Sequence, residues 1–229
     1  SAFGHESATA WGIVVTTGTT SMVDFSLMPL PIGTLQGRIS DAATGQPLTA
    51  TISVLDTPLE TNANVYTLTL PAGTYTLRVR SLGYRVITAT AAITVGQVTV
   101  VDLALPPAPS ILLVDSGPWY YGSQANYFRQ ALDDLAYAYD EWAIKHLPDD
   151  VPVASDLISY DVVVWSAPSD APGYIGAQNA ITSYLSSGGR LFLSGQDVGY
   201  LDGGGWGYFS YYRDYLKASW LWDNAESWT

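Results

Sequence analysis

Acidic and hydroxyl residues that could bind a ligand follow short apolar runs in the second half of the chain. Asp115 ends the run ILLVD, Ser166 ends VVVWS, and Asp197 comes three residues after the run LFLS. Together with Asp170 they offer oxygen atoms to a hard cation such as Ca²⁺, which takes about six to eight oxygen ligands. The alternative is that Asp115 and Asp197 cap helices or anchor loops. We favour this alternative, because the sequence has no EF-hand or other calcium-loop spacing.

Two aromatic clusters follow two of the same apolar runs. Such rings on glycine-rich loops can stack on sugars or grip peptide segments. The favoured alternative is that they pack between domains or inside a long loop. The candidate aromatic residues are Trp119, Tyr120, Tyr121, Trp206, Tyr208, Tyr211 and Tyr212.

A serine nucleophile would have to lie in the stretch LSGQD, residues 193–197, which begins at the end of the third apolar run. This stretch contains Ser194 but lacks the G-x-S-x-G spacing of a nucleophile elbow. The chain has no cysteine, and its two histidines, His5 and His146, both precede Ser194. Because a serine without a positioned base is a poor nucleophile, we predict no catalytic residue. A degenerate hydrolase that uses Ser194 or Asp197 is the less favoured alternative.

The candidate residues lie on an alternation of apolar runs and helical segments. Helical spacing covers residues 125–139 and 177–187, and Gly188-Gly189 ends the second helix. The apolar runs are typical of parallel strands buried on both faces; they span 110–115, 161–166 and 190–195. This alternation predicts an α/β domain with a doubly wound sheet over residues 110–229. The candidates would then lie at the carboxyl ends of its strands, where open sheets bind ligands.

The first half alternates apolar and polar residues in short segments that end at glycine or proline. Such segments are typical of half-buried antiparallel strands and predict a β-sandwich over residues 33–105. Residues 106–109 contain three prolines and would form a short stiff linker between the two domains. The predicted strands are 34–40, 50–55, 65–70, 74–80, 86–95 and 98–105.

One segment of the first half occurs twice, at a spacing of 78 residues. Residues 14–31 (VVTTGTTSMVDFSLMPLP) align without a gap with residues 92–109 (AITVGQVTVVDLALPPAP). Because a fixed period of this size indicates an array of similar small domains, residues 1–31 are predicted to be the last two strands of a preceding sandwich. We therefore expect this chain to be a fragment of a longer protein.

Composition excludes several classes of function. The net charge is −12, and 15 of the 21 acidic residues follow Pro109, so nucleic acid is not an expected partner. The chain has no cysteine, which excludes disulfides and thiolate metal sites. No apolar run is long enough to span a membrane. Few lysines, abundant threonine, alanine and glycine, and tandem β-modules favour an extracellular protein.

The first half resembles the carboxypeptidase regulatory-like domain, a transthyretin-type sandwich. The resemblance rests on GRISDAATGQPL, LPAGTYTLRV and LGY, which occur in that order. It implies an accessory module without chemistry of its own, of the kind attached to peptidases and surface proteins.

The second half resembles the class I glutamine amidotransferase-like, flavodoxin-like group. The residues that carry this resemblance are ILLVD, YDVVVW and SSGGRLFLSGQD. It implies a second strand near Asp140–Ala143 and a domain that normally continues with more strands. If this domain continues in the same way, the chain is truncated at Thr229; the alternative is that the remaining sheet is complete enough to fold. This pair of domains is similar to the C-terminal regions of large secreted bacterial peptidases, above all subtilisin-like serine peptidases.

The sequence thus predicts a non-catalytic accessory fragment of a secreted peptidase. Its expected roles are spacing, folding support or substrate presentation, with the rest of the parent polypeptide as its partner. A module that binds polysaccharide or a cell surface through the tyrosine- and tryptophan-rich loops is the first alternative. No cofactor is expected other than Ca²⁺.

Overall fold

A computed structural model of the chain describes residues 2–221. These residues form two compact units. The first consists of residues 2–81 and 86–106, and we call it the two-sheet unit. The second consists of residues 82–85 and 107–221, and we call it the α/β unit.

The two-sheet unit contains eight strands in two four-stranded sheets. In one sheet the order is β4-β1-β7, and β8 also pairs with β1; in the other it is β3-β2-β5-β6. The strands are β1 Ile32–Asp41, β2 Ala50–Val54, β3 Glu60–Ala63, β4 Val65–Pro71, β5 Gly73–Arg80, β6 Ile87–Ile93, β7 Val98–Val100 and β8 Leu103–Leu105.

Alternate residues of these strands form the core of the unit. The buried apolar side chains are those of Leu35 and Ile39 in β1 and of Leu77 and Val79 in β5. Each such side chain contributes about 1.5–3 kcal/mol when it is removed from water. The predicted β-rich first half is therefore confirmed, with one face of each main strand buried.

The last predicted strand, 98–105, differs from the prediction. It is divided into β7 and β8, and both run parallel to β1 rather than antiparallel. At the break, Asp102 Oδ1 replaces a backbone acceptor and takes the hydrogen bond from the Arg38 N–H at 2.8 Å. The backbone N–H of Arg38 therefore keeps a hydrogen-bond acceptor at the interruption between β7 and β8.

Residues 2–31 pair with each other only at an isolated bridge between His5 and Pro29. The repeat predicts two strands here, and the described residues of this segment form none longer than that bridge. In residues 92–105 the corresponding strands are paired with β5 and β1. Most apolar side chains of residues 2–31 are exposed, including Trp11, Val14, Val15 and Met22.

The α/β unit contains a four-stranded parallel sheet with the order β10-β9-β11-β12. Its strands are β9 Ile111–Asp115, β10 Tyr139–Ala143, β11 Val162–Ser166 and β12 Arg190–Ser194. The helices are α1 Ala125–Asp134, α2 Ala154–Leu157, α3 Gln178–Ser186, α4 Val198–Gly203 and α5 Ser210–Asp214, with a 3₁₀ turn at Gly117–Trp119. No helix among residues 2–221 is both long and apolar enough to cross a membrane.

Both faces of this sheet are covered. On one face of the sheet, Leu112 and Val114 pack with Trp165. On the other face, Ile111 and Leu113 pack with a second cluster that includes Leu132 of α1. The continuous apolar run of β9 is explained by this double burial. β12, at the edge of the sheet, is only partly buried.

Helix α1 is shorter than the predicted segment 125–139. Ala136 adopts a positive φ of 54°, and the Tyr137 N–H donates to the Leu132 carbonyl at 2.9 Å. This is the pattern of a Schellman motif, which usually places glycine at the left-handed position. Because alanine occupies it here, the sequence carries no visible stop signal before β10.

Candidate functional site

The carboxyl ends of the four parallel strands lie level with each other. Ser166 pairs in register with Asp115 on one side and with Ser194 on the other, and Asp115 pairs with Ala143. The chain leaves β9 toward β10 and later returns to β11 on the opposite side, so the strand order reverses between β9 and β11. Open α/β sheets bind ligands at this kind of reversal. Asp115 and Ser166, predicted as site residues, flank it.

Asp115 is buried and anchors the loop after β9. Its carboxylate accepts hydrogen bonds from the Gly117 N–H at 3.1 Å and from the Ser123 hydroxyl at 2.5 Å. The guanidinium of Arg129 lies 3.8 Å from Asp115 and 2.9 Å from Glu141. These contacts make Asp115 an anchor of the loop after β9, which is the alternative to cation binding that the sequence favours.

Asp170 belongs to a buried hydrogen-bond network with Ser116, Ser166 and Trp119. Ser116 Oγ lies 2.9 Å from the Ser166 carbonyl and 2.7 Å from Asp170 Oδ1, and Trp119 Nε1–H donates to Asp170 Oδ2 at 2.6 Å. The serine hydroxyl has one proton for two acceptors. If Asp170 is protonated, its O–H donates to Ser116, Ser116 donates to the Ser166 carbonyl, and every contact has a donor.

The electrostatic environment of Asp170 also favours the protonated carboxyl. Burial raises the pKa of the Asp170 carboxyl, and the negative charges of Asp202 and Asp115 raise it further, against the lowering effect of its hydrogen bonds. A carboxyl whose pKa is higher in the folded than in the unfolded state keeps its proton longer when folded. Stability therefore falls as pH rises from about 4 through the folded-state pKa, because the folded state binds more protons in that window.

Asp170→Asn is expected to leave the α/β unit at least as stable as the wild type at pH 7. The amide can donate to Ser116 and accept from Trp119, as the protonated acid does, but it does not titrate. The difference in unfolding free energy should grow in favour of the variant by about 1.4 kcal/mol per pH unit within the window. Urea unfolding at pH 4, 5, 6 and 7, followed by tryptophan fluorescence, measures this difference.

The control for this experiment is Asp134→Asn, at the exposed end of α1. It should follow the wild-type pH profile. If Asp170→Asn also follows the wild-type profile, or loses stability as pH rises, Asp170 is ionised at every pH tested, and the network in which its O–H donates to Ser116 is wrong.

A second buried carboxylate, Asp202 of helix α4, connects this helix with the loop at residues 173–174 and with helix α5. It is fully buried and accepts hydrogen bonds from the Gly173 N–H at 2.7 Å, the Tyr174 N–H at 2.9 Å and the Tyr211 hydroxyl. Burial raises the pKa of Asp202, and the three hydrogen bonds act against this. The Tyr211 ring is fully buried. Tyr211, one of the aromatic candidates of the sequence, therefore lies in the core and not on a binding surface.

Four aromatic side chains line a solvent-open cleft beside the strand ends, which we call the aromatic cleft. Its volume is about 430 Å³. Tyr120 is 66% exposed, and its ring centre lies 5.0 Å from that of Trp119. The residues that line the cleft are Trp119, Tyr120, Ser169, Tyr174, Asp197, Tyr200 and Leu201.

Three of the four rings that line the cleft contact other side chains. The Tyr174 ring packs edge-on against Trp206 at 5.0 Å, and the Tyr200 ring packs edge-on against Trp220 at 5.6 Å. Trp119 is fixed by its hydrogen bond to Asp170. A cleft whose rings are fixed in advance loses little side-chain entropy when a ligand binds.

The other aromatic candidates do not join this cleft. Tyr121 lines a neighbouring cleft of about 520 Å³, which we call the strand-end cleft. Tyr208 is exposed and close to Arg213, and Tyr212 packs partly against the core. Sequence reasoning missed Tyr174 and Tyr200, because neither belongs to an aromatic run.

The four predicted cation ligands are not gathered into one site. Asp115 and Asp170 already bind protein donors, whereas Asp197 lines the aromatic cleft. Within residues 2–221 no group of three or more acidic or histidine side chains is arranged to hold a metal ion. Calcium binding stays a prediction from the sequence.

Ser194 lies on the strand-end cleft at the exposed end of β12. His146 follows β10, three strands away across the sheet, which corresponds to about 14 Å at the usual spacing. Its ring faces Asp150 instead, with Nδ1 3.3 Å from the carboxylate. His146 is therefore not placed to act as the base for a Ser194 nucleophile.

Comparison with known proteins gives matches among solved structures only. A scan against protein families and a search of curated proteins found no match. Among solved structures, similar chains include the minor pilin GBS52 of Streptococcus agalactiae, with 14% identity over 37% of this chain and 49% of the pilin. The Bacillus anthracis TIE protein matches 39% of this chain and 19% of its own at 16% identity. A protein from Bacteroides fragilis, described as membrane-associated and of unknown function, matches 40% and 33% at 22% identity; all three have a TM-score of 0.30. This chain therefore matches about half or less of each neighbour's length.

Proposed function

We propose that this chain is a non-catalytic accessory region of a larger secreted protein, and that its α/β unit binds a neutral polysaccharide. The observation that carries this proposal is the aromatic cleft, which is open to solvent and lies beside the reversal point of the sheet. Aromatic rings can stack on the C–H faces of sugars, while Asp197 and Ser169 can form hydrogen bonds with sugar hydroxyls.

The charge of the chain narrows the class of polysaccharide. After Pro109 the sequence has 5 basic and 15 acidic residues, and Asp197 lies in the cleft itself. A polymer of uronic acid or sulfated sugars would meet like charges here. Neutral glucans, mannans and xylans meet no such repulsion.

Tyr200→Ala is expected to weaken binding of a neutral polysaccharide about tenfold. A pair of stacked aromatic rings is worth about 0.5–1.5 kcal/mol beyond its buried area, and we take the same value for a ring stacked on a sugar; 1.4 kcal/mol is a factor of ten in affinity. Affinity electrophoresis of the full chain in gels that contain β-glucan, mannan or xylan measures the retardation. Tyr120→Ala should give a loss of similar size.

The matched control is Tyr215→Ala, since Tyr215 is partly exposed and lines neither cleft. It should bind like the wild type. Absence of retardation in all three neutral polymers would reject the binding function. Equal losses in the Tyr200 and Tyr215 variants would place binding on another surface.

For the fold of each unit, we infer a transthyretin-type sandwich followed by a flavodoxin-like domain. The order β10-β9-β11-β12 supports the second assignment, because it equals the first four positions of the flavodoxin-like order 2-1-3-4-5. The two facing sets of alternately buried strands support the first.

The parent that we propose is a secreted subtilisin-like serine peptidase. The support is the motif resemblance of both units together with the distance of Ser194 from His146, which favours an accessory role over catalysis. Sequencing the reading frame on both sides of this segment tests the proposal. Asp, His and Ser motifs of a subtilisin-like domain are the expected result, and their absence would reject the peptidase parent while leaving polysaccharide binding untouched.

A further inference from the structure

The two repeated sequence segments also repeat their hydrogen bonds. Ser21 Oγ donates to the Val14 carbonyl at 2.8 Å. At the equivalent positions, 78 residues later, Thr99 Oγ1 donates to the Ala92 carbonyl, also at 2.8 Å. Each bond closes a turn of the same length, so the two turns share a local structure.

The ends of the two segments are closed in the same way. The Leu30 N–H donates to the Gly4 carbonyl at 2.8 Å, and the Ala108 N–H donates to the Gly83 carbonyl at 2.8 Å. Next to these bonds lie the bridges His5–Pro29 and Tyr84–Pro107. Residues 2–31 therefore share these turn and end contacts with residues 82–109, but they do not form strands like β6 to β8, and no counterparts of β1 to β5 accompany them among residues 2–31.

Residues 82–109 show which contacts this segment makes when its partner strand β1 is present. There β7 and β8 pair with β1, Asp102 accepts the Arg38 N–H, and Ile93 is only 4% exposed. In residues 2–31 the equivalent of Ile93 is Val15, which is 79% exposed. The equivalent of Asp102 is Asp24, and both carboxylates are exposed.

We propose that residues 2–31 bind a polypeptide that carries the remaining strands of a second two-sheet repeat, with a strand of the β1 type against residues 20–27. The main chain of this strand supplies the hydrogen bonds, as in β-strand addition. It needs glycine at the position of Gly37, because a Cβ there would lie 1.9 Å from the Val101 carbonyl oxygen. Val23 is the equivalent of Val101 in the first copy.

The first experiment extends the full chain by placing a second copy of residues 32–81 directly before Phe3. Amide hydrogen exchange of residues 12–28, measured by mass spectrometry, should become at least a hundredfold slower than in the unextended chain. An extended chain with Gly37→Val in the added copy alone is the matched control, and it should show no such protection.

A second experiment supplies the strand in trans, in case the extended chain does not fold. A synthetic peptide with the sequence of Ile32–Asp41 is added to the unextended chain, and exchange of residues 12–28 is measured again. Slower exchange with this peptide, but not with its Gly37→Val version, supports the proposal. Unchanged exchange in both experiments overturns it, and so does protection of residues 12–28 through concentration-dependent dimerisation of the unextended chain.

Discussion

Replacing Asp202 with alanine is expected to lower the unfolding free energy of the α/β unit by about 3–5 kcal/mol. The alanine would leave three donors without their acceptor: the N–H groups of Gly173 and Tyr174, and the Tyr211 hydroxyl. An unsatisfied buried polar group costs about 1–3 kcal/mol, so three such donors account for a loss of this size even when rearrangement relieves part of the cost. The variant should also loosen the loop that carries Tyr174 and the helix α4 that carries Tyr200.

Urea unfolding at pH 7, followed by tryptophan fluorescence, measures this loss. The signal is specific to the α/β unit, because only Trp11 of the eight tryptophans precedes Pro107. Asp134→Ala, an exposed change in the same unit, should alter stability by less than about 0.5 kcal/mol. Equal stability of the two variants would show that Asp202 does not hold the loops together.

Asparagine variants distinguish the two buried carboxylates. Asp202 accepts three hydrogen bonds, so the amide nitrogen of Asp202→Asn would face a donor, and stability should fall. Asp170 has a neighbour, Ser116, that can accept a hydrogen bond, so Asp170→Asn should not destabilise the unit at pH 7. Two aspartates with similar burial are thus expected to respond in opposite ways, since the donors around them differ.

The strands could be predicted wherever burial follows a simple period. Leu35 and Ile39 mark β1 by alternation, and the run of β9 marks a strand buried on both faces. β3 could not be found, because Glu60–Ala63 contains no fully buried residue. Helices α4 and α5 were hidden in a glycine-rich stretch that predicts loops.

The candidate site could be predicted only in part. Asp115 and Ser166 meet at one edge of the sheet because parallel strands end at the same edge. Ser116 and Asp202 were missed, because their partners come from loops distant in sequence and no local pattern marks them. Tyr211 agrees with the favoured packing interpretation and not with a binding surface, because it lies on the buried side of the short helix α5.

Gly37→Ala is expected to destabilise the two-sheet unit by about 3 kcal/mol. A Cβ on Gly37 would lie 1.9 Å from the Val101 carbonyl oxygen and 2.9 Å from the Tyr66 hydroxyl. Backbone cannot move aside like a flexible side chain, so β1 and residues 98–105 would have to separate, at the upper end of overpacking costs. The bonds from Tyr66 to Val101 and from Arg38 to Asp102 would be lost with that separation.

Hydrogen exchange of the β1 amides measures this effect, and about 3 kcal/mol corresponds to exchange about a hundredfold faster. The control is Gly73→Ala in β5, where the nearest atom to the added Cβ is in the Tyr75 ring, at an ordinary distance of 3.5 Å. This variant should change stability by less than about 1 kcal/mol, since alanine mainly restricts the unfolded chain. If both variants exchange alike, the close approach at Gly37 is not required by the fold. A strand bound to residues 20–27 would then not need glycine at that position either.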